Sequence, residues 1–257
     1  LTARVMANRV WYWLMGEGLV RTVDNFGMMG EQPSHPELLD HLANSFAEDG
    51  WSMKKLVRRI VVSRTYQMVS DGDKESAKAD PDNRLLSHMN RKRLDAESIR
   101  DALFQVGGIL DLEYGGKNVK AGTRSEYGYK FESTRRSVYL PVFRNQLPEF
   151  FETFDFADPN IQNGKRTSST IAPQALLLMN HPEVRKQSMS AAENLLKRSE
   201  LTKGERIDHA YLEVVGRKPA EREAEIAARF IGESEVAERW ALLYQTLFQT
   251  LDFRYLY

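Results

Sequence analysis

The number of segments with a helical pattern is the feature that most constrains the fold of this chain. In about eight segments, apolar residues recur at three- and four-residue spacing, which is the period of an amphipathic helix. Most of these segments begin with a capping residue or a proline and end at a glycine or a proline, as helices do. The sequence therefore predicts a mainly α fold, in the form of a compact multi-helix domain.

One short run favours a β-strand. Residues 138–143 read VYLPVF, a mixture of β-branched and aromatic side chains, with Arg136 and Arg144 on either side. We therefore predict one small β element near residues 138–143, with a partner strand that the sequence does not identify. At 257 residues the chain has room for one large domain or two small ones. We predict a single domain over residues 1–257, with a helical subdomain over about residues 200–257.

Composition excludes several classes of function. Lysine plus arginine (36) equals aspartate plus glutamate (36), so no global field gathers nucleic acid, and we expect no nucleic-acid partner. The absence of cysteine excludes disulfides, thiolate metal sites, cysteine nucleophiles and covalent haem attachment within this segment. No apolar run approaches the roughly 18 residues of a membrane span. Leu1 begins inside an amphipathic pattern, so we expect a segment of a longer protein.

A polar loop, residues 157–170, separates a phenylalanine-rich segment from an apolar helix pattern. It contains an Asp-Pro-Asn turn, in which Asp and Asn side chains can bond the local backbone. Because apolar segments flank both ends, we expect an ordered, exposed loop that displays polar groups, and such loops often carry binding residues. The binding residues that we predict in and around it are Arg136, Arg144, Asp155, Asp158, Asn160 and Arg166.

Three interpretations of these residues stay open. The arginines could bind an anion with help from the free N–H groups of the helix that begins near residue 170. They could instead pair with Asp155 and Asp158 and hold the loop in place, which is the commoner arrangement. The oxygens of Asp155, Asp158 and Asn160 could also bind Ca²⁺, although turn-forming Asp and Asn residues are far more frequent than calcium sites.

The sequence does not identify catalytic residues. It has no Walker loop, GxSxG elbow or HExxH pair, each of which would have been specific. The enzymatic hypothesis is a hydrolase or redox enzyme that uses Asp155 or Asp158 as acid or base, with His35 or an arginine nearby. A glycosidase would need its two carboxyl groups about 5–9.5 Å apart across an open cleft.

Histidine spacing argues against a metal site. The nearest pattern is His35, Glu37 and His41, but Glu37 is expected to form a capping box with Ser34 at the start of a helix. The five histidines are otherwise scattered. We predict that this domain by itself holds no metal and no haem.

Six segments together carry a family resemblance, and they occur along nearly the whole chain: NRVWYWLMGEGLVRTVDNFGMMGEQPSHPELLDHLA, DPDNRLLSHMNRKRLDAESIRDAL, RRSVYLPV, FDFADPN, APQALLLMN and LEVVGRKPAEREAE. In this order they resemble the C-terminal domain of unknown function found in large planctomycete cytochrome-associated proteins. The family has no established active-site residues to carry over onto this sequence.

The resemblance implies an exported multidomain parent, located in the periplasm or at the cell surface. Such a parent commonly has a c-type haem domain and a second domain of unknown function, and it is associated with complex polysaccharides. The partners that the resemblance implies are the other domains of the parent chain and glycans, and any haem would lie in those other domains. We therefore expect a non-catalytic binding or scaffold module.

Overall fold

The structure is a computed structural model, and it describes residues 1–233 and 236–256. Within these ranges it contains twelve α-helices and one two-stranded sheet, so the prediction of a mainly α fold is confirmed. None of the described helices is long and apolar enough to cross a membrane. The described residues fall into two compact packing units, each with its own core. The prediction of a single domain with a subdomain near residues 200–257 stays a prediction.

The first unit comprises Leu1–Lys92 with Asn163–Lys165 and Leu256. Its core forms where three helices bury Trp11, Phe46, Leu56 and their neighbours. The high fraction of apolar side chains on the facing sides of these helices accounts for their packing. The helices of this unit are α1 (Thr2–Met15), α2 (Pro36–Glu48), α3 (Met53–Val61) and α4 (Lys74–Ala79).

A buried asparagine holds the segment that follows α1. The Asn8 side chain donates to the Val20 carbonyl oxygen at 2.9 Å and accepts from the Val20 N–H at 2.8 Å. Gly18 lies so close to this contact that an added Cβ would come within 3.0 Å of the Val20 carbonyl oxygen. Gly16 ends α1 with a φ of 86°, a conformation that glycine adopts readily. The turn after α1 is therefore specified by one amide and two glycines.

The second unit comprises Arg93–Gln162 and Arg166–Tyr255. Its core is centred on α11, which packs along α8 and also contacts α7 and α9. Trp240, Tyr244 and Phe248 of α11 are among its most deeply buried side chains. The helices of this unit are α5 (Ala96–Val106), α6 (Glu149–Thr153), α7 (Ala172–Asn180), α8 (Pro182–Leu196), α9 (Lys203–Val215), α10 (Glu221–Ile231), α11 (Ala237–Gln249) and α12 (Leu251–Arg254).

One arginine joins three helices at one end of the second unit. Arg217, which follows α9, contacts the Glu223 carboxylate of α10 at 2.7 Å and the Asp252 carboxylate of α12 at 2.6 Å. The hydrogen bond from Arg217 lowers the pKa of Glu223 to about 2, against an opposing effect of burial. This network therefore depends on the ionised form of Glu223.

The predicted strand at residues 138–143 is wrong. Residues Ser137–Tyr139 form a 3₁₀ turn, and the Val138 and Val142 side chains are exposed while Leu140 is buried. Pro141 has no N–H to donate to a sheet, which makes this run a poor strand despite its β-branched composition. The run has the β-branched and aromatic side chains that are typical of strands, but no strand among the described residues pairs with it.

The small sheet lies elsewhere. It pairs β1 (Lys92–Arg93) with β2 (Tyr255–Leu256), two residues from each segment. Next to it, the Leu94 N–H donates to the Arg254 carbonyl oxygen at 2.8 Å. Strands of two residues are too short to show an alternating pattern, so no sequence signal predicts them.

Candidate functional site

Asp155, one of the predicted binding residues, is held by contacts on both carboxylate oxygens. It accepts from the Arg93 guanidinium at 2.7 Å, from the Ser169 N–H at 2.8 Å and from the Ser169 hydroxyl at 2.9 Å. The Arg93 side chain is only 6% exposed, so this ion pair is largely shielded from water. Asp155 has a φ of 55°, in the left-handed region that Asp tolerates better than most residues.

The same arginine also ties the backbone on either side of the loop. Its guanidinium donates to the Ser169 carbonyl at 2.6 Å and to the Phe154 carbonyl at 3.0 Å. Gln174 of α7 is fully buried and donates to the carbonyls of Thr153 and Ser169, both at 3.2 Å. We call the set of Arg93, Asp155, Ser169 and Gln174 the Asp155 clamp.

The electrostatics of the clamp favour an ionised carboxylate. Burial alone would raise the pKa of Asp155. The hydrogen bonds from Ser169 and the ion pair with Arg93 together outweigh this effect, so the pKa of Asp155 lies below its usual value. A carboxylate in this state has its oxygens occupied and holds no proton at neutral pH. Asp155 therefore acts as a structural anchor for the segment around it.

Arg166, at the far side of the loop, is anchored to the first turn of α5. Its guanidinium makes a bidentate pair with the Glu97 carboxylate at 2.7 and 2.9 Å. It also lies 4.9 Å from the centre of the Phe156 ring, which stacks on Phe151. Arg166 thus combines an ion pair with a cation–π contact, and both fix the position of the loop.

The segment next to Arg136 attaches to the same face of α5. The Ser137 N–H donates to the Asp101 carboxylate at 2.7 Å, and Asp101 lies one helical turn after Glu97. The Arg136 side chain itself is exposed. Two of the predicted arginines therefore lie near α5. Arg166 forms an ion pair with Glu97 of this helix, whereas the Arg136 side chain is exposed to solvent.

Sequence reasoning missed Arg100, which is buried in α5. Its guanidinium donates to the carbonyls of Ser133 and Arg135 and to the Ser137 hydroxyl, and so holds the long irregular stretch before residue 137. Burial lowers the pKa of Arg100 to about 10, partly offset by Asp101. The available signal was an arginine on the apolar face of the α5 pattern, a position that requires a partner when buried.

Arg144 lies away from α5, next to the irregular stretch around residues 126–131 of the second unit. It lies in an exposed turn in which Phe143 and Gln146 form an isolated bridge. The Phe143 ring packs 5.2 Å from the Tyr129 ring, and the Asn145 side chain donates to Glu126 at 2.6 Å. Arg144 is therefore grouped with the irregular stretch around residues 126–131.

Asp158 and Asn160 form the exposed turn that the Asp-Pro-Asn sequence predicts. The Asp158 carboxylate accepts from the Asn160 N–H at 2.8 Å and from the Asn160 side-chain amide at 3.0 Å. Ile161, directly after them, is 63% exposed. We call residues 158–161 the Asp158 turn. It follows the Asp155 clamp by three residues, so one end of the turn is rigidly supported.

The histidine pattern of the first unit gives no metal cluster. Within the part of the chain that the structure describes, no group of three or more His, Asp or Glu side chains is arranged to hold a metal ion. The expected capping box is also absent, because α2 begins at Pro36 and Ser34 contacts the His35 ring at 3.0 Å instead. Pro36 starts the helix one residue later than the capping-box pattern requires, so His35 takes the N-cap position instead of Ser34.

Comparison with known proteins identifies a family but no characterised relative. A family model described as PSD1, a protein of unknown function (DUF1553), matches residues 1–231. No curated protein matches the chain, and no solved structure matches it.

Proposed function

This chain belongs to the PSD1 family of proteins of unknown function (DUF1553), and from that premise we propose that it is a non-catalytic binding or scaffold module. The observation that carries the proposal is the Asp155 clamp. In it, the carboxylate of Asp155 is used for structural contacts with Arg93 and Ser169, and these contacts support the exposed polar turn that follows. The resemblance to planctomycete cytochrome-associated proteins supports an exported parent whose haem is held in another domain.

The clamp argues against the hydrolase hypothesis. A general acid needs a carboxyl group whose pKa is raised, so that it carries a proton at neutral pH. The pKa of Asp155 is lowered instead, and its oxygens already accept three hydrogen-bond donors. Asp158 accepts from the Asn160 backbone N–H, as a turn-forming aspartate does. The two carboxylates are thus better explained as parts of a supported loop than as an acid/base pair.

The Asp158 turn is the contact surface that we propose. It displays a carboxylate, a side-chain amide and the exposed Ile161 within four residues. Carboxylate and amide groups can hydrogen-bond sugar hydroxyls, while an exposed isoleucine beside them suits contact with a protein surface. The two ligand classes are glycans and other domains of the parent protein.

The direct test measures binding and turnover on the same samples. The purified chain is applied to a glycan array and to the immobilised remaining domains of its parent protein, and polysaccharides are assayed for release of reducing ends. We expect binding to one of the two classes without release of reducing ends. Absence of binding to both classes would contradict the proposal. Release of sugar that Asp155→Asn and Asp158→Asn abolish would establish the hydrolase instead.

A further inference from the structure

An open groove runs along the outer face of α11 in the second unit. Its volume is about 540 Å³, and it lies between α11, α8 and the end of α7. Its apolar side chains include Leu242, which is 50% exposed, and Met179, which is 46% exposed. Its polar lining includes Arg185 of α8 and Glu238 and Gln249 of α11.

The spacing of the α11 residues matches a helix-packing face. They fall at i, i+3, i+4, i+7, i+8 and i+11 from Glu238 to Gln249. At 1.5 Å per residue, this face is about 16 Å long, or three turns. Ala241, about one turn into this face, is small enough to let a second helix approach closely. A face of this pattern and length is suited to packing against another helix.

The charges of the groove are balanced. Arg185 and Glu238 are both exposed, and neither forms an ion pair with another side chain among residues 1–233 and 236–256. The other polar lining groups are amides and hydroxyls, such as Gln249, which can both donate and accept hydrogen bonds. No aromatic ring lines the groove, so it lacks the stacking surface that sugar rings commonly use.

A balanced lining of this kind is complementary to itself. In a two-fold symmetric contact, the same surface is used by both copies, so each group must meet a compatible group of the same surface. Arg185 of one copy can then face Glu238 of the second copy, and the reverse pair forms at the same time. A ligand of one charge sign would meet a repulsive group in either orientation.

We propose that this groove is a self-association surface on which a second copy of the chain packs its own α11. The contact buries Leu242 and Met179 of both copies and forms two symmetric Arg185–Glu238 ion pairs. The arrangement brings α8 and α11 of two copies together as a four-helix layer. It is independent of the Asp158 turn, which stays exposed for other partners.

The test uses sedimentation equilibrium of the full chain over a range of concentrations. We expect the wild type to reach twice the monomer mass. Glu238→Arg and Arg185→Glu should each weaken the dimer by about tenfold or more, since each places like charges opposite one another. The double variant that carries both changes restores opposite charges and should return the dimer constant to near the wild-type value.

A matched pair of leucine variants separates this surface from others. Leu242→Glu should abolish the dimer, whereas Leu212→Glu on α9, at a residue that is 47% exposed and outside the groove, should leave it intact. Circular dichroism and the thermal midpoint of each variant verify folding. A wild type that stays monomeric up to about 100 µM, a dimer that survives Leu242→Glu, or a charge swap that fails to restore the dimer would each overturn the proposal.

Discussion

Replacing Asp155 with asparagine removes one negative charge from the Asp155 clamp and changes little else. Asparagine has nearly the same shape, and it tolerates the left-handed φ of 55° at this position. Its side-chain oxygen can still accept from the Ser169 hydroxyl. The variant therefore isolates the ion pair between Asp155 and Arg93.

The size of the effect follows from the burial of Arg93. Removing one partner of a buried ion pair costs about 3–5 kcal/mol, because the other charge is left without compensation. The Arg93 side chain is 6% exposed, but its guanidinium keeps the carbonyls of Phe154 and Ser169 as acceptors. We therefore expect Asp155→Asn to lower the free energy of unfolding by about 3 kcal/mol, the low end of that range.

The pH dependence of the stability difference between wild type and Asp155→Asn tests the ion pair independently. The pKa of Asp155 in the folded chain lies below its usual value, which is about 3.9 in the unfolded chain. The stability that the ionised carboxylate provides is then complete above about pH 4 and is lost as the pH falls through the folded-state pKa. Because asparagine does not titrate, the difference between wild type and Asp155→Asn should shrink as the pH falls below about 4.

The assay is urea denaturation followed by circular dichroism at several pH values between neutral and acidic conditions. Asp158→Asn is the matched control, since it removes the same charge from an exposed turn and should cost at most about 1 kcal/mol. If Asp155→Asn is no more destabilising than Asp158→Asn, and its effect does not change with pH, the clamp does not hold the loop and the reasoning fails.

Three further predictions concern stability and use the same denaturation assay. Asn8→Ala should cost about 2–4 kcal/mol, because it leaves the buried N–H and C=O of Val20 without partners; a cost below 1 kcal/mol would contradict this. Gly18→Ala should destabilise by about 2 kcal/mol through its clash with a backbone oxygen, whereas Gly204→Ala, in a helix with open space around it, should stabilise by about 0.5 kcal/mol; effects of the same sign would refute it. Glu223→Gln should lose its destabilising effect as the pH falls from about 4.5 toward 2, because the folded-state pKa of Glu223 is about 2; a pH-independent difference would count against the Arg217 network.

The helices were predictable because their signals are local. Gly16 and Gly216 end α1 and α9 in the left-handed conformation that the glycine pattern indicates. In the phenylalanine-rich segment, Phe150 and Phe154 lie four residues apart, which places them on the same side of a helical turn, and both side chains are buried. Period and capping chemistry act over a few residues, so the sequence alone contains them.

The contacts of the candidate site were not predictable in the same way. Arg93 lies 62 residues before Asp155, and Glu97 lies 69 residues before Arg166. No periodic pattern links residues at such separations, so the arginines that the sequence offered as partners of Asp155 were its neighbours in the chain. The strand predicted at residues 138–143 failed for a related reason, since strand formation depends on a partner that local sequence does not supply.

The central claim is that the Asp158 turn binds a partner while the Asp155 clamp supports it. The most direct measurement is the dissociation constant of the wild type and of the double variant Asp158→Ala/Asn160→Ala for the glycan or parent domain that the wild type binds. Asp73→Ala serves as control, because Asp73 is an exposed aspartate that caps a short helix elsewhere. We predict that the turn variant binds about tenfold more weakly or worse, with a thermal midpoint within a few degrees of wild type, while Asp73→Ala binds normally. Wild-type affinity in the turn variant would contradict the account.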